Sequence, residues 1–180
     1  MKAASMIVAC GLLFAGCAKM QMPMPASPQW FDFYSAPSRH AASFPERPKP
    51  SLKETIVPGG GKAYTYLQEV QTGDRYFGTG WIQIAHAPTD KGGRDRVLDA
   101  AVAAAVQSSQ GGVLLLVHSP QIGGSVGRMY TIDVPAQKIR LRQQIFVAGD
   151  GVVEQTYSGP AGTETDAQAE RFFASLRLLP

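Results

Sequence analysis

Lys138-Ile139-Arg140-Leu141-Arg142-Gln143-Gln144-Ile145-Phe146-Val147-Ala148-Gly149-Asp150-Gly151-Val152-Val153-Glu154-Gln155-Thr156-Tyr157-Ser158 is the stretch that decides the fold of this 180-residue chain. Two runs rich in β-branched and aromatic residues, Lys138 to Ala148 and Val152 to Ser158, flank Gly149-Asp150-Gly151. Such a turn between such runs predicts a β-hairpin, and a hairpin makes its strands antiparallel neighbours.

Working outward, Arg128 to Val134 reads as a further strand, reached from a loop at Gly123-Gly124, and Val113 to His118 as a continuous apolar strand. Lys62 to Val70 alternates Ala63, Thr65 and Leu67 against Tyr64, Tyr66 and Gln68, while Arg75 to Ala85 carries Tyr76, Phe77, Trp81, Ile82 and Ile84. With Thr72-Gly73-Asp74 between them, these two form a second predicted hairpin. Leu52 to Val57 is strand-like and stops at Pro58-Gly59-Gly60-Gly61, and His40 to Phe44 runs into Pro45 and Pro48, which end a strand. From Asp90 to Ser109 the period changes: Val97, Leu98, Ala101, Val102, Ala105 and Val106 form an apolar stripe at helical spacing. Gln110-Gly111-Gly112 follows in the manner of a glycine C-cap. Thr165 to Gln168 has the form of a capping box ahead of Ala169, Phe172, Phe173 and Leu176, an amphipathic terminal helix. The order of elements therefore predicts an α+β domain, an antiparallel β-sheet with helices packed on it. About 150 residues suffice for one such domain with its own core.

The features in that order resemble a known family. Ser43-Phe44-Pro45 with Arg47-Pro48, a Tyr-bearing hairpin, an Ala-rich helix ending in Gly-Gly, and a Gly-rich loop before a strand come first. An Arg-bearing strand pair and Arg171-Phe172-Phe173-Ala174-Ser175-Leu176-Arg177-Leu178 then follow. Together they are similar to bacterial proteins of the PsbP/Mog1-like fold, over Ser38 to Pro180. Val152-Val153-Glu154-Gln155-Thr156 departs from that pattern, in which a Leu-Tyr often precedes the strand. The resemblance implies an α/β/α sandwich that serves as a binding or assembly factor, and it transfers no catalytic residue.

The first residues carry an address. Lys2, an apolar run from Ala3 to Phe14, and the small residues Ala15 and Gly16 before Cys17 have the parts of a secretory signal, too short to span a bilayer. Phe14-Ala15-Gly16-Cys17 resembles the cleavage box of bacterial lipoproteins, with Phe where Leu is usual. That resemblance implies a signal peptide over 1–16, removed by a peptidase, and acylation of Cys17. Ala18 after the cysteine, in place of an Asp, favours the outer membrane, with the domain facing the periplasm. Both cysteines, Cys10 and Cys17, lie in this region, so the mature chain keeps one and forms no disulfide. The same count removes a thiolate nucleophile and a zinc-thiolate site. Three acyl chains make anchoring stable. Residues 17–37, with prolines at 23, 25, 28 and 37, read as a lipid-anchored tether, and Trp30, Phe31, Phe33 and Tyr34 at its end form an aromatic cluster that either holds a protein partner or folds back into the core.

Other chemistries fit poorly. Loss of Lys2 leaves 16 basic against 14 acidic side chains, and neither Arg140 with Arg142 nor Arg47, Lys49 and Lys53 makes the dense basic face that nucleic acid needs. Gly123-Gly124-Ser125-Val126-Gly127 matches the nucleophile elbow of serine hydrolases, but His40, His86 and His118 all precede Ser125, the wrong order for that fold. Another serine-hydrolase topology would use His86 or His118. His86, Asp90 and His118 match no metal-binding spacing, Met20, Met22 and Met24 lack a nearby histidine for copper, and Gly59-Gly60-Gly61-Lys62 lacks the rest of a phosphate loop. The expectation is a non-enzymatic lipoprotein acting as an accessory, assembly or binding module of the cell envelope, without cofactor or metal. A small-ligand binder with a pocket between sheet and helix is the alternative.

Overall fold

The computed structural model describes residues 29–35, 38–56, 62–84 and 87–179. The signal peptide, Cys17, the three methionines, His86 and the glycines of Gly59-Gly60-Gly61 lie outside them.

The hairpin around Gly149-Asp150-Gly151 is the centre of the molecule. β9 (Ile139–Ala148) and β10 (Gly151–Pro160) pair antiparallel in unbroken register from Gly151 against Ala148 to Pro160 against Ile139. Gly149 sits in the turn at φ 59°, a left-handed conformation that a side chain would strain. β10 then pairs β5 (Arg75–Gln83), β5 pairs β4 (Lys62–Thr72), and β4 pairs β3 (Lys49–Ile56). On the other side β9 pairs β8 (Ser125–Val134), which pairs β6 (Val113–His118). The result is an antiparallel path of seven strands, with a short β7 (Gln121–Ile122) folded onto β8 as the eighth strand of the sheet.

The two faces of this sheet bury different layers. On one, α1 (Lys91–Ser108) sets Leu98 and Val102 against Tyr130, Ile132, Val134, Ile145, Val147 and Val152. On the other, α2 (Ala167–Ala174) and a small sheet of β1 (Phe31–Ser35), β2 (His40–Phe44) and β11 (Arg177–Leu178) close over Phe77, Phe146, Val153 and Tyr157. Phe172 is the keystone of that layer, with its ring centroid 5.3 Å from Phe77 and 5.4 Å from Phe44. Two buried amides fix α2 from below. The Gln144 Nε2 donates to Gln155 Oε1 at 2.5 Å and to the Phe173 carbonyl at 3.1 Å, and the Gln155 Nε2 donates to the Phe172 carbonyl at 2.7 Å. They add donors to the Phe172 and Phe173 carbonyls at the end of α2, where the Phe172 carbonyl also accepts from the Ser175 N–H at 3.0 Å. The fold is thus α+β, with an antiparallel sheet sandwiched between helical layers.

Three expectations change in detail. The helix over Asp90 to Ser109 begins with Asp90 as its N-cap, whose carboxylate accepts from the Gly93 N–H at 2.8 Å. Its end is made by Gln110 at φ 50° ahead of Gly111, so the first left-handed residue is a glutamine rather than a glycine. The terminal helix is capped by Asp166, not Thr165, since Asp166 accepts from the Gln168 and Ala169 N–H groups, both at 3.0 Å. Last, the folded body does not begin at Ser38. β1 at Phe31–Ser35 pairs residue by residue with β2, so the end of the segment read as tether is part of the small sheet.

Candidate functional site

β6 is the element whose surroundings contradict its composition. Val113-Leu114-Leu115-Leu116-Val117-His118 has no charge and no alternation, the pattern of a strand buried on both faces. Yet it is the last strand of the large sheet, and all six residues are exposed. Leu116 keeps 55% of its surface, Val113 53% and Leu115 50%. Register assigns the faces. Leu114 lies opposite Ile132 and Val117 opposite Tyr130, both packed under α1, whereas Leu116 lies opposite Thr131 and His118 opposite Met129, which belongs to the α2 layer. The register shifts between Leu114 and Leu116, a bulge at Leu115. Beyond β6 no strand accepts its outer N–H and C=O groups among the described residues.

The other edge of the same sheet is built differently. β3 carries Lys49, Pro50, Lys53 and Glu54, and the Lys53 ammonium lies 3.3 Å from Glu69. Charge and proline are what keep an edge strand from recruiting another strand. β6 has neither. The contrast is between a charged edge and an apolar one.

A second feature is a cleft of about 440 Å³ between α1 and the sheet, lined by Ile82, Ala104, Ala105, Tyr130, Gln143 and Glu154. Its polar groups serve each other. The Tyr130 hydroxyl donates to Gln143 Oε1, and the Gln143 Nε2 donates to Glu154 Oε2 at 3.0 Å and Thr156 Oγ1 at 2.8 Å. Burial pushes the Glu154 carboxyl up, against the pull of Lys53 and of the Gln143 hydrogen bond, and burial raises the Tyr130 phenol as well. Gly80 leaves the space for that carboxyl, since a Cβ there would stand 2.6 Å from Glu154 Oε1. The network holds β8, β9 and β10 together, with its amide turned inward to the sheet.

The residues singled out in the sequence do not converge. Ser125 opens β8 after a tight turn at Gly123 and Gly124, with φ of 55° and 82°, so the glycines are there for the hairpin. No histidine bonds to Ser125 among the described residues. Asp90 caps α1, His118 ends β6 on the surface, and no group of three or more His, Cys, Asp or Glu suited to a metal gathers among the described residues. His40 is in the core against Phe33, with centroids 6.0 Å apart. Of the aromatic cluster, Trp30 and Phe33 pack against the main core, and the Arg171 guanidinium stacks over the Trp30 ring at 4.5 Å. Phe31 is half-buried, and Tyr34, 65% exposed, is what the cluster leaves for solvent.

The arginines noted in β9 are also taken up internally. Arg140 binds Asp133 at 3.1 Å and Glu164 at 2.6 Å, while Arg142 binds Glu170 at 2.6 Å and lies 4.5 Å over the Phe173 ring. Arg128 ties α1 to β8 through Asp95 at 3.1 Å and Asp99 at 2.8 Å. These pairings neutralise the charge that a phosphate backbone would need.

No family model matches the chain, and no curated protein sequence matches it. Among solved structures it is similar to cyanobacterial PsbP (CyanoP) from Synechocystis sp. PCC 6803, whose solution structure superposes with a TM-score of 0.57 at 9% identity. The match covers 92% of this chain and 98% of that one. With so little identity the likeness concerns backbone architecture, and it agrees with the layers described above: this chain has a PsbP-like fold.

Proposed function

We propose that this protein is a non-enzymatic assembly module of the bacterial cell envelope, held at the membrane through acylated Cys17 and joined to its partner along β6. The observation that carries the reading is the uncovered β6 edge, apolar on both faces at one end of a sheet whose opposite edge is protected by lysine and proline. An added strand would satisfy the outer backbone groups of β6 and bury leucine and valine on both faces, the mode known as β-augmentation. The partner chemistry follows: an extended, uncharged segment with apolar residues on both sides. Support for the address is the Lys2 to Cys17 segment, which gives an envelope lipoprotein, with the outer membrane favoured by Ala18.

The test compares three forms of the chain, purified from cell membranes after cross-linking. The wild type is expected to fractionate with membranes and to run as a complex. Cys17→Ser should leave the membrane fraction, and the double variant Leu114→Lys with Leu116→Lys should stay membrane-bound but lose the complex. Retention of the same complex by the lysine variant would remove β6 from the function.

A further inference from the structure

Resting on that reading, we propose that the strand which completes β6 is β6 of a second copy of this chain, joining two sheets antiparallel across a twofold axis. Antiparallel pairing of one strand with itself is isologous, so a single uncharged sequence supplies both halves of the contact. β6 meets that requirement. With the axis normal to the sheet, each face of one copy continues into the same face of the other. Leu114 and Val117 then meet their counterparts on the α1 side, and Val113 and Leu116 meet theirs on the α2 side. Neither Lys nor Arg, Asp or Glu occurs from Val113 to His118, so self-pairing brings no like charges together.

Area sets the strength. From their exposures, the five residues Val113 to Val117 offer on the order of 400 Å² per copy, about half of the ~800 Å² that each side of a standard stable interface buries. The bulge at Leu115 further shortens the ladder. Such a contact is weak between free molecules and becomes effective when both copies are confined. Anchoring at Cys17 provides that confinement, because tethering converts a bimolecular encounter into one at high effective concentration. The dimer therefore belongs to the membrane-bound protein.

The cysteine count makes a direct experiment available. Once cut before an acylated Cys17, the chain has no other thiol, so Leu116→Cys introduces one at the centre of the seam and Leu52→Cys one on the opposite, lysine-bearing edge. Each variant is reconstituted in vesicles of phosphatidylethanolamine and phosphatidylglycerol and treated with a short bis-maleimide. Leu116→Cys should give cross-linked dimer at least tenfold above Leu52→Cys, and adding Leu114→Lys should abolish it without shifting the melting temperature by more than a few degrees. Equal cross-linking at both edges, or monomer alone at position 116, overturns the second copy. The two levels of the reading then separate. Monomer at position 116 combined with loss of a membrane complex in the Leu114→Lys, Leu116→Lys variant leaves β6 as a docking strand for a different protein. Monomer with no loss removes the docking strand as well.

Discussion

Acidification should weaken the fold through His40, by an amount the structure fixes. The His40 side chain is 2% exposed, and Phe33 lies on one side. Burial lowers its pKa from 6.5 to about 4, the loss of water by a buried imidazolium outweighing a backbone hydrogen bond at Ser38. The sign follows from proton counts. Between pH 6.5 and pH 4 the unfolded chain holds a proton on this residue and the folded chain does not, so stability rises with pH across that window and is lost on going down. The loss is about 2 kcal/mol by pH 5 and about 3 kcal/mol by pH 4. Urea unfolding of wild type and of His40→Leu at half-unit steps from pH 4 to pH 7.5 isolates the contribution. Glu154, whose raised carboxyl acts with the opposite sign, and Glu69 and Glu164, whose lowered ones act with the same sign, are common to both proteins. On acidification the wild-type curve should fall relative to that of the variant by the amounts above. Parallel curves would show that His40 finds a partner or solvent in solution, and the reasoning would fall.

Other outcomes follow from single contacts. Gln155→Leu removes one donor to the Phe172 carbonyl, which keeps the Ser175 N–H and hydroxyl, and takes an acceptor from the buried Gln144 Nε2, which should cost about 1–3 kcal/mol in urea unfolding and show first as faster amide exchange in α2. Gly127→Ala places a Cβ 2.4 Å from the Ile145 carbonyl oxygen, a backbone atom that cannot swing away, so β8 and β9 must separate locally at about 1–3 kcal/mol. A melting temperature equal to wild type would argue that this pair of strands is looser than described. Trp30→Ala strips a ring that packs on the core and beneath Arg171, and is expected to destabilise the small sheet by roughly 2 kcal/mol; an unchanged melting temperature would place Trp30 at the surface instead.

Legibility in the sequence tracked how local each cause was. The β9–β10 hairpin could be read because its turn chemistry and both strands lie within about twenty consecutive residues, and the stripe on α1 because helical spacing is a local property. Cap positions shifted by a residue or so, since Asp166 and Thr165 are both good caps and the choice depends on where Arg75, 2.6 Å from Asp166, lies after folding. β1 gave no signal of its own. Five residues between prolines become a strand because β2 accepts their ladder and because Phe33 packs on Phe44, which in turn meets Phe172 from far along the chain. The small sheet is finished by β11, two residues long, which no periodicity could reveal.

β6 is the instructive case, because its sequence was legible and its position was not. An uninterrupted apolar run reads as a strand, and the structure forms one at Val113–His118. Whether a strand is central or terminal is decided by pairing order, here by β8 taking β9 on one side and β6 on the other, with nothing described beyond. Within one chain, composition and position then disagree: the residues suit a site covered on both faces, and the fold covers one edge. Such a conflict cannot come from stability of the monomer, since lysine or threonine at Leu116 would disturb no contact on the open side. In the proposed function these five apolar residues serve a contact made outside the monomer. Since β3 gives this same sheet an edge that carries lysine and proline, the difference between the two edges is what the proposed docking along β6 rests on.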